Sequence, residues 1–514
     1  MERLVNTAEI MARQMRLSEL LAEEVSIADS MDAELTGIEN DSRRIDQGDL
    51  FLAYKGASND GRSFVDVVIA NGAAAVIVEA DETWNEIEVR EGVPVIPVEK
   101  LATKIGKIAA RFFDYPAADF WLVGITGTNG KTSCCQFIGE CFFGLGYKCG
   151  ISGTLGHGIY GESYTFDKTG PGTTPDAIKV QTIFEEIRFK NADQMIMEVS
   201  SHGLSQNRVN VGEFNVAVFT NLSRDHLDYH GGMKAYGDEK RKLFLNPNLE
   251  IAVVNMDDMF SAKILNGLAK NVKSFTYSLH NSKADVFPRA LEFKRSGFSM
   301  DVVTPWGEGK FSSALAGSFN VSNLLAVLTT VMATEAEKAD FNFEKILAAV
   351  SEVTPVKGRM EILNDHPVSV VVDYAHTPDG LKNALAALRL HYKGNIWCVF
   401  GCGGDRDKGK RPLMAEIAEK GANKLIITDD NPRNEDSSEI IRHIQAGLSG
   451  KAEVVVESDR AKAIDYAVSH AGEGDVVLIA GKGHEEYQDV AGSRMVFSDV
   501  KQARVSLNKR FNDK

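Results

Sequence analysis

An apolar run of strand length, residues 119–126, ends in Gly127-Thr128-Asn129-Gly130-Lys131-Thr132-Ser133 and passes directly into an apolar helix pattern. No other stretch restricts the fold as much. A strand that turns through glycines into a helix N-terminus belongs to an α/β sheet, and it points backbone N–H groups at phosphate oxygens. Lys131 adds a compact cation and Thr132 a hydroxyl ligand for magnesium. The glycines lie at 124, 127 and 130 and position 125 is Ile, which departs from the usual eight-residue phosphate-loop pattern. Taken alone, the segment also fits a purely structural glycine turn.

The chain has 514 residues, too many for one core, and a length prior gives roughly three domains. Residues 31–100 alternate short apolar runs with turns, as in a small α/β domain. A helix-like stretch, 102–113, leads to the phosphate-loop strand, and further buried-strand candidates at 193–199, 214–221 and 251–255 each end in polar residues. The pattern breaks near Thr354-Pro355-Val356-Lys357-Gly358. Beyond it, strand candidates at 368–373, 396–400, 425–428, 453–456 and 476–480 alternate with amphipathic helix-length segments. The expected architecture is α/β in three domains. A small N-terminal α/β domain covers 1–103, a central P-loop ATPase-like, mostly parallel sheet 104–354, and a C-terminal Rossmann-like doubly wound sheet 355–514.

Lys+Arg 57 against Asp+Glu 72 gives a net charge of −15, which repels a polyanion and argues against nucleic acid. Six cysteines, at 134, 135, 141, 149, 398 and 402, are too sparse for a disulfide framework and too irregular for a zinc ribbon, so they read as core residues in a reducing cytosol. No apolar run reaches the length of a membrane span, and the expectation is a soluble, cytoplasmic protein.

Glu198 follows the apolar Met195-Ile196-Met197 and is placed to give magnesium a hard oxygen ligand, although most isolated strand-end carboxylates are solvated or cap a helix. Asn221-Leu222-Ser223-Arg224-Asp225-His226-Leu227-Asp228-Tyr229-His230-Gly231 is a second dense cluster. His226 and His230 could clamp a transition metal on a helix, but the hard-cation chemistry nearby favours a polar turn. Three later strand candidates end in charged, glycine-bearing loops: 401–411 with Arg406, Asp429-Asp430-Asn431-Pro432-Arg433, and Gly481-Lys482-Gly483-His484-Glu485. In an open parallel sheet such loops converge on one crevice, where Arg406 and Arg433 suit carboxylates or phosphates.

GTNGKTS, MEVSSHGLSQNRV, TNLSRDHLDYHG, GSFNVSNLLA, GRME, DYAHTPD, GCGGDRDKGKR, DDNPR and AGKGHEEYQ occur in one order along the chain. With these segments the sequence closely resembles, over nearly its whole length, the Mur ligases of peptidoglycan synthesis. The resemblance implies ATP and magnesium, with Lys131, Glu198, His226 and Lys240 catalytic. Thr132, Glu198, His226 and Lys240 would hold the metal, Lys240 as a carbamate derived from carbon dioxide. It implies ATP contacts from Gly127 to Ser133 and from Asn320, Arg359 and His376. Asn40, Ser42, Thr173, Thr174, Ser200, Gln206 and Arg208 would contact a UDP-N-acetylmuramoyl-dipeptide, and Arg406, Asp430, Asn431, Pro432, Arg433, Gly481 and Glu485 meso-diaminopimelate. Two departures from the family pattern are Ala57-Ser58-Asn59 beside the expected uracil site and Gly172 before Thr173-Thr174. The implied chemistry passes the γ-phosphate of ATP to the D-glutamyl carboxylate and lets the amine attack the acyl phosphate. The alternatives are an L-lysine-adding ligase, a folylpolyglutamate synthetase, which lacks the first domain, and a nucleotide-dependent switch or binding protein.

Overall fold

Runs of Val, Ile and Leu form the centres of three parallel-rich sheets in a computed structural model that describes residues 13–56, 59–162, 172–210, 213–294 and 297–512. Ala57 and Ser58 lie outside the described residues. The chain divides into two compact units, and the division falls inside the strands Trp121–Thr126 and Val216–Phe219.

The first unit holds the N-terminal sheet, with strand order Gly37–Glu39, Asp49–Ala53, Ala75–Glu79, Val93–Val98, Glu88–Arg90. All pairings are parallel except the last. Period-two alternation sorts its side chains onto two faces. Leu50, Leu52 and Ile77 pack against Ile105, Ile108 and Phe112 of the helix Leu101–Phe112, while Phe51, Val76 and Val78 face Val65 and Val68 of Val65–Ala70. Ala177 and Ile178 of the helix Ala177–Phe189 join the former cluster. The same unit carries the strands Gly156–Ile159, Cys149–Gly153 and Gln194–Glu198, followed in the sheet by the start of Trp121–Thr126.

In the second unit the ends of Trp121–Thr126 and Val216–Phe219 are followed by Ile251–Asn255 and Lys273–Tyr277. A three-stranded antiparallel sheet, Phe287–Phe293, Phe298–Thr304 and Gly307–Ser313, leads to the helix Ser318–Glu335, buried along most of its length. The C-terminal sheet runs Glu361–Asn364, Ser369–Asp373, Val476–Ala480, Ile396–Phe400, Lys424–Ile427, Glu453–Val456, with only the first strand antiparallel. Val371, Cys398, Leu425 and Leu478 pack on one face with Leu381, Met414 and Ile440, and Val370, Trp397, Ile426 and Val477 on the other with Ile464 and Ala503. Helices on both faces make this a doubly wound sheet, as the alternating pattern predicts.

All six cysteines are buried and none is in a disulfide, and burial pushes the thiols of Cys398 and Cys402 up to about 12. Among the described residues no helix is long and apolar enough to cross a membrane.

Candidate active site

The helix Lys131–Leu145 starts where the phosphate loop ends, so Lys131, Thr132 and Ser133 occupy its first turn. Gly127 cannot be replaced without movement, because a Cβ there would lie 1.8 Å from the Thr220 hydroxyl oxygen. Gly130 has φ +87°, a left-handed conformation that glycine adopts without strain. The loop is pinned from the next strand: Asn221 accepts the N–H of Asn129 at its side-chain oxygen and that of Thr128 at its carbonyl, both at 2.9 Å. The Lys131 ammonium folds over the loop, donating to the carbonyls of Gly127 and Thr128 at 2.9 and 3.0 Å.

Lys240 lies on the helix Met233–Arg241 in a strongly charged run, yet it is only 1% exposed. Its amine donates to the Gly127 carbonyl at 2.8 Å and stands 4.4 Å from the Tyr236 ring centroid. Burial, reinforced by the nearby Lys131 charge, pulls its pKa well below the usual lysine range and favours the neutral amine. Asp225 is buried beside two imidazoles, 3.3 Å from His226 Nε2 and 3.9 Å from His376 Nε2. Desolvation would raise its pKa, but His226, His376 and Lys410 outweigh it and keep the carboxylate ionised. Burial and Lys410 push His376 down, and its Nδ1 lies 2.8 Å from the Tyr374 carbonyl. His226 precedes the short helix Leu227–His230 with φ +52°, and His230, the last residue of that helix, stacks on Tyr236. Among the described residues no three His, Cys, Asp or Glu side chains form a metal cage. A magnesium ion here would be held largely by nucleotide phosphate oxygens, and the Thr132 hydroxyl fits that hard cation. Lys240 fits it only with oxygen added to its amine.

Arg359 donates to the Thr132 hydroxyl at 3.0 Å, and its guanidinium lies 4.4 Å over the Tyr374 ring, which also neighbours His376 at 4.7 Å and His484 at 5.2 Å between centroids. Asn320 is buried, bonded to the Ala316 carbonyl and to Asn323. The Asn129 side chain reaches Asp379 at 3.1 Å, and Arg224 pairs with Asp407 beside Arg406.

The three charged loops meet at the strand ends. Arg433, at φ +52°, donates to the Gly404 carbonyl at 2.7 Å, and a Cβ on Gly403 would come within 2.7 Å of that guanidinium. Asn431 donates to Glu485 at 3.0 Å, and fully buried Lys482 donates to both, at 2.9 and 2.7 Å. Asp430 is buried beside Gly481, where a Cβ would stand 2.5 Å from its carboxylate. Pro432 is buried in the same turn, whereas Arg406 is exposed and bonded to the Asp405 carbonyl.

In the first unit Glu198 is buried, contrary to the ordinary fate of a strand-end carboxylate, and accepts from the N–H and hydroxyl of Thr154 at 2.8 and 3.1 Å. Thr173 meets the same hydroxyl at 3.2 Å. Thr174 donates to the Glu198 carbonyl at 3.0 Å and accepts from Ser200 N–H at 2.9 Å. Arg208 donates to the Thr174 carbonyl and to Gln206, both at 2.6 Å. Asn40 bonds the Tyr54 hydroxyl at 3.3 Å, and Ser42 sits in the turn before Asp49–Ala53. The residue reading singled out neither the Asp225–His376 pairing nor Lys482, although DYAHTPD and AGKGHEEYQ contain His376 and Lys482.

A phosphate loop on one sheet and glycine-rich charged loops on a second, doubly wound sheet define a nucleotide-binding α/β enzyme. Family models match over most of the chain: Mur ligase family, catalytic domain, at 34–113; Mur ligase middle domain at 125–331; Mur ligase, glutamate ligase domain, at 358–483. The UDP-N-acetylmuramoyl-L-alanyl-D-glutamate--2,6-diaminopimelate ligase of Coxiella burnetii is 46% identical over 481 residues, covering 93% of this chain and 96% of its own. A solved structure of a ligase of that name superposes with a TM-score of 0.67 at 35% identity, covering 97% and 99% of the two chains. Folylpolyglutamate synthase from Mycobacterium tuberculosis has a similar fold, with a TM-score of 0.62 at 18% identity, and covers 73% of this chain and 91% of its own. The chain belongs to the Mur ligase family.

Proposed function

We propose that the protein joins meso-diaminopimelate to the D-glutamyl carboxylate of UDP-N-acetylmuramoyl-L-alanyl-D-glutamate in the cytoplasm, cleaving ATP to ADP and phosphate. In this reading residues 1–103 take the uridine nucleotide, 104–354 ATP and 355–514 the amino acid. The observation that carries it is the contact chain from Thr132 through Arg359 and Tyr374 to His484, which ties the phosphate loop to the loop of Glu485.

The loop amides and Lys131 hold the β- and γ-phosphates and neutralise the charge that gathers on the transferred group. One carboxylate oxygen of the D-glutamyl residue attacks the γ-phosphorus, ADP leaves, and the acyl phosphate is formed. The amine of diaminopimelate then adds to the acyl carbon, loses a proton, and expels phosphate as the amide forms. Arg433 and Arg406 grip the carboxylate at the far end of the amine, with Asp430, Asn431, Pro432, Gly481 and Glu485 around it. Asn320, Arg359 and His376 contact the nucleotide. Asn40, Ser42, Thr173, Thr174, Ser200, Gln206 and Arg208 bind the uridine-linked substrate. Magnesium, when bound, supplies Lewis-acid neutralisation of the phosphates. Thr132, His226 and Lys240 would hold it, and the likeness to the family adds Glu198. Lys240 serves as a carbamate, which forms on the free amine that its burial favours.

The test is ADP release with the uridine-linked dipeptide and diaminopimelate, lysine or no amine. Release that needs both the dipeptide and diaminopimelate supports the reading; equal release with lysine points to the lysine-adding ligase, and release without any amine to a nucleotide switch.

A further inference from the structure

Arg460 opens the helix Arg460–His470 and is fully buried, an unusual place for a guanidinium unless every donor has a partner. Nε and Nη2 donate to the two carboxylate oxygens of Asp499, each at 2.7 Å. Nη1 donates to the Asp429 carbonyl at 3.1 Å, and Nη2 also to the Ala480 carbonyl at 2.9 Å. Those carbonyls are the last before Asp430-Asn431-Pro432-Arg433 and before Gly481-Lys482-Gly483-His484-Glu485. Asp499 starts the helix Asp499–Asn512, on the same face of the sheet as Arg460–His470. One planar fork therefore joins two helices to the roots of two loops. The two loops pack closely at that point, where a Cβ on Gly481 would collide with Asp430.

We propose that Arg460, oriented by Asp499, is a positioning residue for the amino-acid pocket: by holding the carbonyls of Asp429 and Ala480 it fixes the spacing between the loop of Arg433 and the loop of Glu485. The inference rests on the reading of those loops as the diaminopimelate site. A bidentate site needs its cation and its second loop at a set separation, and a misplacement of about 1 Å costs about 100-fold. Lysine keeps the charge, but its single nitrogen loses the planar fork that addresses the carboxylate and the two carbonyls from separate nitrogens.

A buried ion pair that only staples helices would change stability and leave the substrates' relative affinities alone. Two variants separate the cases. Arg460→Met with Asp499→Leu removes both charges, so neither is left buried without a partner. Arg460→Lys keeps the charge and loses the fork. The measurements are KM for diaminopimelate and for ATP, the melting temperature, and amide hydrogen exchange over residues 429–433 and 481–485. Both variants are expected to raise KM for diaminopimelate by at least about tenfold with KM for ATP within about twofold, and to speed exchange in the two loops. An unchanged KM for diaminopimelate in a folded paired variant overturns the proposal, as does a parallel rise of both KM values or a parental KM in Arg460→Lys. If the paired variant does not fold, Arg460→Lys decides alone. If the parent enzyme does not use diaminopimelate, the functional reading fails, and exchange still settles the positioning role: faster loops support it and unchanged loops overturn it.

Discussion

Arg359 lies 227 residues after Thr132 in the chain and donates to its hydroxyl at 3.0 Å. The bond joins the segment that follows the break near Thr354-Pro355 to the first turn of the phosphate-loop helix. The guanidinium is stacked on Tyr374 at the same time, so its direction is fixed by two different interactions. Arg359→Lys keeps the charge but loses both the planar stack and the fork. A hydrogen bond from a charged donor contributes about 1.5–3 kcal/mol, so the substitution should raise KM for ATP roughly 10- to 100-fold with little change in melting temperature. Parental nucleotide kinetics in a folded Arg359→Lys protein would remove Arg359 from the nucleotide site.

Glu435 gives a pH dependence with a definite sign. Its hydrogen bond to fully buried Arg411, beside the Gly403 loop, lowers its pKa from 4.5 to about 2. A carboxylate depressed in the folded state contributes stability above its unfolded pKa, and that contribution is lost as pH falls toward the folded value. The parent should therefore melt above Glu435→Gln at about pH 7, and the gap should narrow progressively below about pH 4.5. A gap that stays constant down to about pH 3 would contradict the assigned pairing.

The phosphate loop was legible because its signal is local: glycine spacing, one lysine and the strand and helix on either side suffice. The central strands of the C-terminal sheet, near 369–373, 396–400, 424–427 and 476–480, were legible for a similar reason, since strands buried on both faces must be nearly all apolar, whereas the partly exposed Glu361–Asn364 was not. The antiparallel sheet at 287–313 was not. Its first strand mixes intermediate and exposed residues without a buried face, and only its pairing reveals it. Lys240 sits among Asp238, Glu239, Arg241 and Lys242, a setting that reads as a solvated helix charge. Its burial comes from Tyr236 and a carbonyl 113 residues away, which the residue pattern does not encode. Arg460 was hidden in the same way, as an ordinary first-turn charge on an amphipathic helix.

The burial that lowers the Lys240 pKa bears directly on the proposed carbamate. Carbon dioxide reacts with a free amine and not with an ammonium, and burial and Lys131 both favour the free form here. A carbamate turns the side chain into an oxygen donor, whereas a lysine cation would repel magnesium. Lys240→Ala should be inactive and regain part of its activity with added short-chain carboxylates that fill the emptied space. Full activity of Lys240→Ala without any additive would rule the modification out.

In the proposed function, selection of the amine turns on Arg433. Diaminopimelate is lysine with a carboxylate added at the far carbon, so a site that prefers it needs a cation at that end. Arg433 has the required rigidity: its N–H and carbonyl are both bonded to the hairpin Tyr487–Val490 and its turn, at 2.9 and 2.7 Å, and its side chain rests on the Gly404 carbonyl. Its other guanidinium donors can then grip a carboxylate through two parallel bonds. Lysine in the same place would set an ammonium against a desolvated guanidinium, a mismatch of the kind that discriminates by about 10⁴-fold. Arg433→Ala should lose most of its catalytic efficiency with diaminopimelate while its low efficiency with lysine holds or rises, so that the preference collapses. The measurement is kcat/KM for both amines in parent and variant. An unchanged preference in Arg433→Ala, or a parent that uses lysine as readily as diaminopimelate, would show that selection lies elsewhere.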